Sequence, residues 1–123
     1  MSSNTVLIVD DEENTRKLIR FALEKSGYIV FETKTGSEAL QFLTDNKPDL
    51  IILDIVMPDM DGYTLMKKIK DLPVMRNIPV IISSGKSGMQ EYFSLDDEKY
   101  KPNAFLVKPY KMKDLIETVK NTI

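Results

Sequence analysis

The sequence predicts a doubly wound α/β fold: a five-stranded parallel sheet with helices on both faces. Three observations predict it. Unbroken apolar runs such as Val6-Leu7-Ile8-Val9 and Leu50-Ile51-Ile52-Leu53 read as strands buried on both sides, the mark of a parallel sheet. Strand-like runs and stretches of helical period alternate five times along the chain. With 123 residues, 42% of them hydrophobic and 29% charged, there is one domain's worth of chain and one sizeable core.

The elements follow in order. Val6 to Val9 is the first strand and ends in Asp10-Asp11-Glu12-Glu13. A helix follows from about Glu13 to Lys25, with Leu18, Ile19, Ala22 and Leu23 at helical spacing and Ser26-Gly27 as the stop. Tyr28 to Thr33 reads as the second strand. Gly36-Ser37 opens a helix with Ala39, Leu40 and Leu43 on one face, and Asn46-Lys47-Pro48 ends it. Leu50 to Leu53 is the third strand and delivers Asp54 to its carboxyl end. Pro58-Asp59-Met60-Asp61-Gly62 then supplies turn chemistry. A helix carrying Leu65, Met66 and Ile69 begins at Asp61-Gly62, and Pro73 to Pro79 is a loop. Val80-Ile81-Ile82 is the fourth strand and meets Ser83-Ser84-Gly85. Ala104 to Val107 is the fifth and runs into Lys108-Pro109. Lys111 to Thr122 closes the chain as a helix with Leu115, Ile116 and Val119 inward.

Composition excludes several chemistries. There is no cysteine and no histidine, so disulfides, thiol nucleophiles, zinc-finger sites and a Ser-His-Asp triad are out. A histidine acting as base or phosphoryl carrier must belong to a partner. Any metal must be held by oxygen, which points to a hard cation such as Mg²⁺. The net charge of -2 gives no field that favours nucleic acid. Lys67, Lys68 and Lys70 read as a solvated helix face. Five apolar-leaning residues after Asn4, followed by acids, are too few for a signal peptide, and no run could insert across a membrane. A cytoplasmic protein is expected.

Four strands each end in a distinct chemistry. The first gives Asp10 and Asp11, the third Asp54, the fourth Ser84 and the fifth Lys108. Parallel strands put all these ends on one edge, where doubly wound folds collect their chemistry. Each residue alone has an ordinary reading. Asp10 or Asp11 could cap a helix, Asp54 and Ser84 could sit in strand-exit turns, and Lys108-Pro109 could lead into a helix. Their coincidence at one edge is what points to function. Three close carboxylates repel unless a cation lies between them. Cation, carboxylate nucleophile, lysine and hydroxyl together suit phosphoryl transfer to an aspartate. Asp54 would attack in line while the metal and Lys108 neutralise equatorial oxygens.

Four motifs in order carry a resemblance: Val-Asp-Asp-Glu at 9 to 12, Leu-Asp-Ile-Val-Met-Pro-Asp-Met-Asp-Gly at 53 to 62, Pro-Val-Ile-Ile-Ser-Ser-Gly at 79 to 85, and Phe-Leu-Val-Lys-Pro-Tyr at 105 to 110. On these the chain resembles a receiver domain of two-component response regulators, of the single-domain, chemotaxis-regulator-like kind, over almost its whole length. The resemblance implies a flavodoxin-like strand order of 2-1-3-4-5. It implies Asp54 as phosphoacceptor, Asp11, Asp54 and the Val56 carbonyl as Mg²⁺ ligands, and Asp10 holding the ion through water. It further implies Ser84 as switch hydroxyl, Lys108 as phosphate-binding lysine, Phe105 as aromatic switch, and a cis peptide between Lys108 and Pro109. The donor would be a phosphohistidine on a sensor histidine kinase or histidine phosphotransfer protein. An output partner would dock on the helix after the fourth strand, the fifth strand and the closing helix.

The match departs between Ser84 and Lys108. No glycine precedes the fifth strand in Tyr100-Lys101-Pro102-Asn103-Ala104, and Ser94-Leu95-Asp96-Asp97 resembles a fresh helix cap. A short helix with a break near Ser94 is expected there. Residues 1–123 are expected to be one receiver domain without an output domain, either stand-alone or cut from a longer chain. It is read as a relay that assists its own phosphorylation and dephosphorylation rather than an enzyme acting on another substrate. The alternative is an aspartate-nucleophile phosphatase of the haloacid dehalogenase type. That chemistry needs a general acid two residues after the nucleophile, where Val56 stands. A flavin carrier would need a phosphate loop where Asp10-Asp11-Glu12-Glu13 repels phosphate. A degenerate receiver would lack residue types that are all present.

Overall fold

The computed structural model describes residues 4–85 and 101–123. Its strands are β1 (Thr5–Val9), β2 (Ile29–Thr33), β3 (Leu50–Asp54), β4 (Val80–Ser84) and β5 (Ala104–Val107). Its helices, among the described residues, are α1 (Glu13–Lys25), α2 (Gly36–Asp45), α3 (Gly62–Asp71) and α4 (Met112–Thr122). The five strands form one sheet in the order β2-β1-β3-β4-β5, and every neighbouring pair is parallel. This is the expected flavodoxin-like, doubly wound arrangement.

Alternation within the apolar runs builds two cores. Leu7 and Val9 of β1 and Ile51 and Leu53 of β3 join Ala39, Leu43, Leu65, Met66 and Ile69 of α2 and α3 on one face. Val6, Ile8, Leu50 and Ile52 point the other way, onto Ile19, Leu23, Leu115 and Val119 of α1 and α4. A strand apolar on both sides is therefore a consequence of helices on both faces. The chain runs from β1 to the β2 edge and then back across β1 to β3. Strand order thus reverses between β1 and β3, where Val9 is in register with Leu53. The carboxyl ends at this reversal open a crevice.

Local chemistry sets the element ends. Thr35 accepts from the Glu38 amide at 3.0 Å, and the Glu38 carboxylate accepts from the Lys34 amide at 3.0 Å, so α2 begins with reciprocal caps. Asp61 accepts from the Thr64 amide at 2.8 Å and starts α3. Gly27, at φ 97°, takes the left-handed turn that ends α1.

The structure refines several details of the sequence reading. Of the apolar residues at helical spacing in α1, Leu18 is 59% exposed, and only Ile19 and Leu23 of that helix are buried. Lys70 does not share the solvated face of Lys68: it is 6% exposed, and its Nζ donates to the carbonyls of Arg76 at 3.3 Å and Ile78 at 3.1 Å. Helix α4 begins at Met112 with Lys111 as its cap, and β2 begins at Ile29. The expected short helix after Ser84 and the break near Ser94 lie outside the described residues.

Candidate functional site

Strand β3 carries Asp54 to the crevice, where its carboxylate accepts from the Val56 amide at 3.4 Å. Asp10 leaves β1 beside it, and each of its polar atoms has a partner. The Asp10 amide donates to the Thr33 carbonyl of β2 at 3.2 Å, and its carbonyl accepts from Arg16 Nη1 at 2.7 Å. Its Oδ1 accepts from the Glu12 amide at 2.9 Å, and its Oδ2 accepts from Lys108 Nζ at 3.0 Å. Asp11 is exposed at the mouth. Asp10, Asp11 and Asp54 each offer a carboxylate oxygen, and these oxygens lie within 4.8 Å of one another.

Lys108 enters from the end of β5. Its Nζ lies 3.7 Å from Asp54 Oδ2 as well as 3.0 Å from Asp10. Its backbone amide donates to the Ser84 carbonyl at 2.7 Å, and the bond to Pro109 is cis. Ser84 is buried at the end of β4 and in register with Val107. Phe105 of β5 is half-buried and packs against the core cluster of Leu53 and Ile82. Val56 is exposed just past Asp54.

The electrostatics follow from this packing. Burial pushes the Asp54 carboxyl above its ordinary value and the Asp10 charge adds to that, while Lys108 opposes it. Burial alone would lower the Lys108 amine, but Asp10 and Asp54 outweigh it and hold the amine above its ordinary value. Lys108 is thus a standing cation. All the donors are oxygens, their like charges are crowded, and the chain has neither cysteine nor histidine. That donor set fits a hard divalent cation.

The loop between β3 and α3 is tied at both ends. The Gly62 amide donates to the Ile55 carbonyl at 2.8 Å. A Cβ at Gly62 would lie 2.3 Å from the Asp54 carbonyl oxygen, so the loop folds back where only glycine fits. Asp59 accepts from the amides of Gly36 at 3.1 Å and Ser37 at 3.0 Å, and from the Ser37 hydroxyl at 2.8 Å. The Ser37 amide and hydroxyl are the main reasons the Asp59 carboxyl is held below its usual range.

Sequence reasoning missed the supports. Arg16 grips the Asp10 carbonyl while its Nε pairs with Glu32 at 3.1 Å, and Glu32 also holds Arg20 at 2.8 Å. An arginine on an amphipathic helix carries no signal of such a role. Tyr110, two residues after Lys108, meets Ser83 through their hydroxyls at 2.9 Å. Its ring also lines an apolar groove of about 220 Å³ with Thr15, Leu18, Lys108, Pro109 and Met112.

Comparison with known proteins places this geometry. Residues 6–120 match the family model of the response regulator receiver domain. The polar-differentiation response regulator DivK of Brucella anthropi is 35% identical over 122 residues, 95% of this chain and 94% of that protein. The solved signal receiver domain of a signal transduction histidine kinase from Syntrophus aciditrophicus is 37% identical, covers 97% of this chain and 89% of its own, and has a TM-score of 0.86. The response regulator TrrA of Thermotoga maritima, solved in complex with Mg²⁺-BeF, is 28% identical with a TM-score of 0.84, over 98% of this chain and 99% of that one. An acidic crevice at the sheet's reversal point, a lysine across it and a family match over nearly the whole chain converge, and the chain belongs to the response regulator receiver domains of two-component signalling.

Proposed function

We propose that this receiver domain is a phosphorylation-dependent switch in which Asp54 takes a phosphoryl group from a phosphohistidine. The observation that carries the reading is the Lys108 amine, 3.7 Å from Asp54 and 3.0 Å from Asp10, facing three convergent carboxylates. One Asp54 oxygen attacks phosphorus in line, the phosphorus–nitrogen bond to the donor imidazole breaks, and its electron pair stays on that nitrogen. A bound Mg²⁺ would supply charge neutralisation among the carboxylates and the phosphoryl oxygens. Asp11, Asp54 and the Val56 carbonyl would hold it. Both Asp10 oxygens already accept hydrogen bonds, which supports a part for Asp10 through water. Lys108, freed from Asp54 as that carboxylate becomes an acyl phosphate, would bind a phosphoryl oxygen. Ser84 would donate its hydroxyl to another, and Phe105 would follow it inward.

The donor is a sensor histidine kinase or histidine phosphotransfer protein, which the absence of histidine in this chain requires of any phosphohistidine route. Output would pass through β5, α4 and the segment after Ser84. The domain serves as a relay that assists its own phosphorylation and dephosphorylation. A phosphatase of the haloacid dehalogenase type finds no support, because Val56 has no proton to give. No helix among the described residues is long and apolar enough to cross a membrane.

Beryllofluoride tests the reading. With Mg²⁺ it should bind one to one and shift the amides of Asp54, Ser84 and Lys108. Asp54→Asn should not bind it. Equal binding by Asp54→Asn would move the acceptor elsewhere.

A further inference from the structure

The Ser83–Tyr110 contact lies on the side of the sheet away from the switch pair. Ser83 is the one residue of β4 that is both polar and turned toward the α1 and α4 side, since Ile81, two residues earlier, belongs to that core. Ser83 is 1% exposed, and its Oγ lies 2.9 Å from the Tyr110 hydroxyl. Tyr110 packs against the same core as Ile81 and Leu115. Ser83 is buried and Tyr110 half-buried, so a hydroxyl left there without its partner is costly and the two groups hold each other.

The pair brackets Lys108. On one side the Lys108 amide is fixed to the Ser84 carbonyl at 2.7 Å. On the other, two residues on, Tyr110 is fixed to Ser83. The turn that aims the Lys108 amine is thus stitched to the last two residues of β4, one stitch through backbone and one through side chains. Phe105 packs on the opposite face, against the α2 and α3 core, so the Tyr110 stitch is a separate connection.

We propose that Tyr110 is a positioning residue for phosphoryl binding: through Ser83 it locks the Lys108 turn to β4, so that the lysine is already aimed when the anion arrives. This rests on the reading of Asp54 as acceptor, and it assigns a residue pair beyond the acids, lysine and switch residues. The same stitch ties β4 to the groove that Tyr110 lines with Leu18 and Met112. Movement of Ser84 toward a phosphoryl group therefore drags on that groove's wall.

The test uses Tyr110→Phe and Ser83→Ala, which each remove one hydroxyl and keep the packing. Beryllofluoride affinity is measured at saturating Mg²⁺, and Mg²⁺ affinity is measured alone. Each variant should bind beryllofluoride about three- to tenfold more weakly, the effect of one net hydrogen bond. Mg²⁺ affinity should stay within about twofold, because neither hydroxyl touches the acids. The double variant should be no weaker than the worse single one, since one bond is lost only once. Unchanged beryllofluoride affinity in either single variant would overturn the proposal. So would a parallel loss of Mg²⁺ affinity, or losses that add in the double variant. Wild-type protein that takes no beryllofluoride would instead refute the acceptor reading on which this one stands.

Discussion

At the scale of single residues, the site holds charges that the fold alone would not choose. Burial and the neighbouring Asp10 charge raise the Asp54 carboxyl, so folding disfavours its ionised form. The folded protein then binds the proton more tightly than the unfolded chain, and stability falls as pH rises through the interval between the two values. Asp54→Asn should therefore stabilise the metal-free protein at neutral pH, by about 0.5–2 kcal/mol, the range of relief at strained functional sites. Thermal unfolding in chelator checks this, and adding Mg²⁺ should raise the wild-type melting temperature but not that of the variant. Asp11 and Lys108 should separate in the same assay. Asp11→Asn should weaken Mg²⁺ about tenfold or more, since it deletes charge at a hard-cation site. Lys108→Ala should keep the metal and lose the response to beryllofluoride. The reverse pattern in a Mg²⁺ titration would exchange their roles. Lys70 offers an independent check on burial. Desolvation lowers its amine, so between that value and the ordinary one the unfolded chain carries a proton that the folded protein lacks. Wild-type stability relative to Lys70→Met should rise with pH across that interval, and urea melts at several alkaline pH values would detect it.

At the scale of elements, the loop between β3 and α3 is where sequence and site meet most tightly. Gly62→Ala would set a Cβ 2.3 Å from the Asp54 carbonyl oxygen and 2.8 Å from Ile55 Cα. The backbone beneath Asp54 must then shift. Destabilisation of about 1–3 kcal/mol is expected from such overpacking, with loss of Mg²⁺ affinity beyond what stability explains. An alanine variant with wild-type melting and metal binding would contradict the close approach. Much of this was legible beforehand. The apolar runs ending in Asp10, Asp54, Ser84 and Lys108 announced parallel strands with chemistry at one edge, because a period of two with no polar face admits little else. The supports were not legible. Arg16 reaches the Asp10 carbonyl, and Asp59 caps α2, only because separate elements meet in space. Lys70 was misread because charge in sequence implies solvent, whereas here two loop carbonyls receive the amine. Leu18 shares the helical spacing yet lies exposed, because spacing alone does not say which edge of an apolar stripe turns outward.

At the scale of the whole molecule, one sheet with two helical layers converts strand order into a site. The reversal between β1 and β3 sets Asp10 and Asp11 beside Asp54, and β4 and β5 bring Ser84 and Lys108 to the same edge. Three bonds tie the frame around that edge: Asp10 to Thr33, Lys108 to Ser84, and Ser83 to Tyr110, which lies just beyond β5. A phosphoryl group on Asp54 would replace the carboxylate's single charge with a dianionic group, and would thus act on a connected frame. The most direct measurement is the intact mass of the protein after incubation with Mg²⁺ and a small phosphodonor such as phosphoramidate. Wild type should gain the mass of a single phosphoryl group, and should gain nothing in chelator. Asp54→Asn should gain nothing under either condition. A phosphoryl adduct on Asp54→Asn, or a metal-independent adduct on wild type, would contradict the assignment of Asp54 as the Mg²⁺-dependent acceptor.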